Sequence, residues 1–203
     1  TTALSYDHGL SHIPLLGETI GDNLRRTVAR HGSREALVVA HQNYRATYAQ
    51  FWDEVGQCAR GLMSRGIAKG DRVGIWAPNR YEWVIVQYAT ARIGAILVNI
   101  NPAYKTAELE YALKLTGIRM LILAKAFRTT DYVSMLSEVQ PKCPDLKESI
   151  VLETGWKQLL ADAAKVSEAE LMAVETTLQF DDPINIQFTS GTTGLPKGAT
   201  LSH

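Results

Sequence analysis

Ten consecutive residues carry the most chemistry in the chain: Thr189-Ser190-Gly191-Thr192-Thr193-Gly194-Leu195-Pro196-Lys197-Gly198. They comprise three glycines, four hydroxyl side chains and one lysine. Glycine lets the backbone approach an anion closely and adopt positive φ. Successive backbone N–H groups can then form a concavity that binds anions. Thr189, Ser190, Thr192 and Thr193 add hydroxyl donors, and Lys197 adds a mobile positive charge. No acidic residue lies between Thr189 and His203. These residue types suit the tail phosphates of a nucleotide. Gly, Ser and Thr also fill surface linkers, and by composition alone the two readings are about equally good. Position favours the phosphate site. The alternating run Ile184 to Phe188 reads as a half-buried strand leading straight into the loop, and α/β folds bind ligands beyond strand carboxyl ends. The spacing is not that of a Walker A loop. Counting five on from Gly191 reaches Pro196, and Lys197 is followed by Gly198 rather than a hydroxyl residue. A P-loop NTPase is therefore disfavoured.

The elements that must position this loop alternate along the chain. Thr19 to His31 carries Ile20, Leu24 and Val28 at helical spacing, with Gly32 as a stop. Ala36 to Val39 reads as a strand, with 43–48 turning into its hairpin partner. Thr47 and Gln50 form a capping box for a helix whose inner face is Phe51, Val55, Cys58, Ala59, Leu62 and Met63, ending at Gly66. Strands are expected at 72–76, 95–99, 120–123 and 149–152. Between them fall helices capped by Asn79 (inner face Trp83, Val86, Thr90 and Ile93), from Thr106 to about Leu115, and from Thr129 to about Val139. The alternation predicts an α/β fold with a largely parallel sheet flanked by helices. The segment 154–179 is expected to be flexible and helical, with Lys165 to Glu170 as a solvated charged face.

The 203 residues include 21 basic and 21 acidic side chains. That balance gives no reason to expect nucleic acid as a partner. The most apolar stretch, Trp83 to Ile100, contains Gln87, Arg92 and Asn99 and is split by Gly94, so no transmembrane segment is expected. No signal peptide opens the chain at Thr1, although a targeting presequence already removed would leave the same beginning. Cys58 on a helix face and Cys143 in the turn 141–144 form no CxxC pair, which predicts one buried thiol and one loop thiol. The five histidines lack metal-ligand spacing; His8 and His12 lie in an irregular lead-in, and no metal site is expected. Solvated histidines are the expectation, with an approach of His203 to the substrate region of the full enzyme, in no catalytic role, as the alternative for that residue. Trp52, Trp76, Trp83 and Trp156 are read as packing residues.

The run Phe188 to Gly198 resembles the phosphate-loop signature of the adenylate-forming superfamily, which includes acyl-CoA synthetases, peptide-synthetase adenylation domains and firefly-type luciferases. The resemblance continues backward through Thr47-Tyr48-Ala49-Gln50-Phe51, Gly70-Asp71-Arg72-Val73-Gly74-Ile75 and the segment 91–102. Asn101-Pro102-Ala103-Tyr104 and the strand 182–188 are most similar to fatty acyl-CoA synthetases of the medium-chain type. The resemblance implies a two-step ligase using ATP, Mg2+ and coenzyme A to activate a small-molecule carboxylic acid. It implies that Thr189, Ser190, Gly191, Thr192, Thr193 and Gly194 wrap the β- and γ-phosphates, with Lys197 supporting the loop. It implies no catalytic residue within the chain. The family's adenine motif, ribose-binding acid, most of the acyl pocket and the C-terminal lid with its catalytic lysine come later in family sequences. Residues 1–203 are thus expected to be a truncated N-terminal (AMP-binding) domain, partnered by a missing C-terminal part and inactive alone. Animal enzymes of this branch imply the mitochondrial matrix, with the cytoplasm as alternative. Two rival functions stay open: an amino-acid or aryl-acid adenylating enzyme, and a non-catalytic interaction fragment.

Overall fold

The computed structural model describes residues 12–14, 16–189, 194 and 196–203. Helix α1 (Ile20–His31) is capped by Thr19, whose hydroxyl accepts the Asp22 N–H. The hairpin β1 (Glu35–Val39) and β2 (Tyr44–Thr47) follows. Helix α2 (Tyr48–Ser64) begins with the expected capping box: Thr47 Oγ1 accepts the Gln50 N–H at 3.3 Å, and Gln50 Oε1 accepts the Thr47 N–H at 2.9 Å. Such a cap contributes about 1 kcal/mol. Phe51, Val55, Cys58, Ala59 and Leu62 face inward as their spacing predicts, with Met63 half-buried.

The α/β alternation then runs through β3 (Arg72–Trp76), α3 (Tyr81–Arg92), β4 (Ile96–Asn99), α4 (Thr106–Thr116) and β5 (Met120–Leu123). A two-residue-per-strand hairpin, β6 (Ala126–Phe127) and β7 (Thr130–Asp131), precedes α5 (Tyr132–Val139). Strand β8 (Glu148–Val151), helices α6 (Leu152–Ala161) and α7 (Glu168–Glu175), and strands β9 (Pro183–Thr189) and β10 (Lys197–Ser202) complete it.

The central sheet has the order β10-β9-β4-β3-β5-β8. Strands β9, β4, β3, β5 and β8 are parallel, and β10 pairs antiparallel with β9. Buried on both faces, parallel strands favour unbroken apolar runs. Val73 to Trp76 and all of β5 are accordingly buried. The chain steps from β3 to β4 in one direction, then back past β3 to β5. Right-handed crossovers put α3 and α4 on opposite faces of the sheet. The helix packing agrees: α2 touches α3, α6 and α7, and α4 touches α5. On the α2 side two backbones meet. A Cβ at Gly61 would sit 2.1 Å from the Leu159 carbonyl oxygen, so only glycine lets α2 approach α6 this closely.

Several expectations need correction. Asn79 does not cap α3. The N-cap is Arg80, without a side-chain cap bond, and the side chain serving the start of the helix is Gln42, whose Oε1 accepts the Tyr81 N–H at 2.8 Å. Helix α5 starts at Tyr132 rather than Thr129. Arg128, at φ 53, turns the small hairpin, and Asp131 is the cap, accepting the Ser134 N–H. The segment 154–179 is not loosely attached. Trp156, Leu159, Ala163 and Leu171 are buried, Asp162 accepts from Arg65, and Glu175 binds Arg92. Its inward charges meet Arg65, just after α2, and Arg92 of α3, while Lys165, Glu168 and Glu170 are exposed as expected. Cys143 lies in a turn yet is buried, as Cys58 is. Burial raises both thiols' pKa.

Candidate functional site

The parallel strands end at a common edge, and the crevice there lies where connections leave to opposite faces. The loops after β3 and β4 part company at this edge, which is where open α/β sheets bind ligands. A cleft of about 220 Å3 opens at this point. Its walls are Ala77 and Asn79 after β3, Trp83 of α3, Asn99 to Pro102 at and after β4, and Gln187 with Phe188 of β9.

Aromatic donors fix the rim. Trp76 stacks on Tyr132 with ring centres 3.7 Å apart. The Trp76 indole donates to the Asn101 carbonyl at 3.2 Å, and the Tyr132 hydroxyl donates to the Pro102 carbonyl. Burial pushes the Tyr132 hydroxyl up to about 12, so it stays a neutral donor. Asn101 Oδ1 accepts the Ala103 N–H at 2.9 Å and closes the turn. Tyr104 packs edge-on against Phe188. At the cleft floor Asn99 Nδ2 reaches Asn185 Oδ1 at 3.5 Å. The buried Asn99 Oδ1 has no hydrogen-bond partner among the described residues.

The glycine- and hydroxyl-rich loop is the tip of the β9–β10 hairpin and continues from the cleft wall. Thr189 and Lys197 face each other across the ladder, and the Thr189 hydroxyl lies 3.4 Å from the Lys197 carbonyl it donates to. Both side chains are exposed. Gly194 has φ +135 with open space where a Cβ would stand, a conformation favouring glycine. Ser190, Gly191, Thr192 and Thr193, named above as phosphate contacts, lie outside the described residues. At the other end of β10, His203 is half-buried rather than solvated. Its Nδ1 accepts the Ile20 N–H at 3.0 Å, at the start of α1. Burial lowers its pKa, opposed by Asp182 and Asp22. Because Nδ1 accepts, the ring's proton is placed on Nε2.

Asn79, Trp83, Asn99 and Gln187 were not singled out by sequence as site residues. A signal existed for two of them: Asn99 and Gln187 are polar side chains near the carboxyl ends of strands whose preceding residues include buried ones. Among the described residues no group of three or more His, Cys, Asp or Glu side chains is arranged to hold a metal ion, and no helix is long and apolar enough to cross a membrane.

The fold and crevice define an open, doubly wound α/β protein with its ligand edge at the carboxyl ends of β3, β4 and β9. The pattern of the AMP-binding enzyme family matches residues 24–203. The chain belongs to that family. It is 43% identical to a medium-chain acyl-CoA ligase ACSF2, mitochondrial, of Macaca fascicularis, and 46% identical to that of Bos taurus. Each alignment covers 98% of this chain but 36% of the relative, so the chain spans about a third of the relatives' length. Among solved structures, a fatty acyl-CoA synthetase of Mycobacterium tuberculosis superposes with a TM-score of 0.77 at 27% identity, over 91% of this chain and 34% of that one.

Proposed function

We propose that this chain is the phosphate-binding N-terminal part of an AMP-forming ligase that joins a medium-chain fatty acid to coenzyme A. One observation carries the reading: the family match spans residues 24–203, which include the loop at 189–198, in a chain most of whose length aligns with medium-chain acyl-CoA ligases. The mitochondrial matrix is the compartment that fits those relatives' names.

In the first step a carboxylate oxygen attacks the α-phosphorus of ATP, and the bond to pyrophosphate breaks. In the second, the coenzyme A sulfur attacks the acyl carbon and AMP leaves. Thr189, Ser190, Gly191, Thr192, Thr193 and Gly194 hold the β- and γ-phosphates, and Lys197 offsets their charge. Their work is to position the phosphates and to stabilise charge gathering on the leaving pyrophosphate. Magnesium enters on the nucleotide's own phosphate oxygens, the hard ligands it prefers. Adenine, ribose and most of the acyl chain are held by the C-terminal remainder of the enzyme, beyond residue 203.

The test is direct. The complete polypeptide, given MgATP, coenzyme A and straight-chain acids from four to eighteen carbons, should release AMP and pyrophosphate with an optimum at intermediate length. Release of ADP, or of AMP only with amino or aryl acids, would overturn the reading.

A further inference from the structure

The exit of the hairpin loop is held from outside the sheet. Tyr111, half-buried on α4, donates its hydroxyl to the Pro196 carbonyl at 3.1 Å, across 85 positions of sequence. Pro196 has no N–H to donate, and among the described residues the first pair of the β9–β10 ladder is Lys197 with Thr189. The ladder therefore does not fix Pro196, whereas Tyr111 does. The helix that carries Tyr111 is itself secured. Glu108 accepts the Lys105 N–H at 2.9 Å, and Glu110 pairs with Lys114 at 2.6 Å and with Lys142 at 3.2 Å. The same device recurs along the rim, where Trp76 and Tyr132 hold the carbonyls of Asn101 and Pro102. Those two fix the cleft side of the edge; Tyr111 fixes the loop side.

We propose that Tyr111 is a positioning residue for the phosphate loop. Its hydroxyl sets where the chain leaves the loop, and so where Lys197 stands relative to the bound phosphates. The inference rests on the reading of the loop given above. It concerns adenylation alone, because the pyrophosphate has gone before the sulfur attacks.

Tyr111→Phe keeps the ring and removes only the donor. In the complete polypeptide, KM for MgATP in acid-dependent ATP–pyrophosphate exchange should rise about 3- to 10-fold, the loss of one modest hydrogen bond. Transfer of the acyl group from supplied acyl-adenylate to coenzyme A should stay within about twofold. The thermal midpoint should move by no more than about 2 °C. Unchanged exchange would overturn the proposal. So would an equal loss in both half-reactions with a lowered midpoint, the mark of a merely structural bond. Lys197→Ala, assayed beside it, separates the two levels. If Lys197→Ala weakens exchange and Tyr111→Phe does not, only the role of Tyr111 falls. If neither does, the phosphate-loop reading itself falls.

Discussion

β3 and β10 belong to one sheet but live in opposite surroundings. In β3, Val73, Gly74, Ile75 and Trp76 are all buried, with parallel neighbours on both sides. In β10 every residue is exposed, and its ladder partner is β9. The residue types follow the surroundings. β3 is chosen to fill space between helical layers, and dense packing leaves it little freedom. β10, with Lys197, Gly198, Thr200 and Ser202, buries almost nothing and extends the loop at its start. Substitutions under the centre should therefore change stability and leave loop chemistry intact, while substitutions at the edge should do the reverse.

The sharpest way to break that contrast is Gly61→Ala. The added methyl would collide with the Leu159 carbonyl, a backbone atom that cannot swing aside. We expect a loss of about 3 kcal/mol, the upper range for overpacking. It would be read as a lowered urea midpoint with unchanged slope. A midpoint equal to the parent's would show that α2 and α6 are not locked together.

At the carboxyl end of β4, where the cleft opens, Asn99→Leu should act the other way. It removes a buried oxygen that has no partner among the described residues, but also the long 3.5 Å bond to Asn185 Oδ1; the two effects oppose each other, so stability should change by less than about 1 kcal/mol. Adenylation by the complete enzyme should fall about 10-fold if Asn99 faces substrate. Steady-state exchange kinetics beside a melting curve test both halves. Lowered stability with intact exchange would place Asn99 with the core instead.

The smallest effect concerns pH. Hydrogen bonds from Lys165, Gln158 and Arg65 hold Asp162 at about 2, below its ordinary 3.8. A depressed acid contributes stability that is complete above the unfolded pKa and is lost as pH falls through the folded one. The parent should therefore lose stability between about pH 4 and pH 2. Asp162→Asn should flatten that part of a midpoint-against-pH plot. An unchanged slope would show that this carboxylate does not tie α6 to α2.

Locally determined features were legible in the sequence. The Thr47 capping box, the bounds of β3 and β5, and the stop at Gly66, which adopts φ +79, all depend on neighbours in sequence. Features set by distant partners were not. Gln42 displaces Asn79 as the group serving the start of α3 from 39 residues away. Arg65 and Arg92 draw acids of 154–179 inward, where charge alone suggested solvent. The candidate site divides in the same manner. Its loop stands out because ten adjacent residues share one chemistry. Its cleft walls come from β3, α3, β4 and β9 together, and Tyr111 sits on a helix face with nothing in its spacing to mark it.

The central claim is that the loop before Lys197 grips the nucleotide's terminal phosphates. Acid-dependent ATP–pyrophosphate exchange by the complete enzyme carrying both Thr192→Ala and Lys197→Ala tests it most directly. The account predicts exchange reduced by about 100-fold or more, with the melting temperature preserved. Exchange at the parent's rate and the parent's KM for MgATP would contradict it.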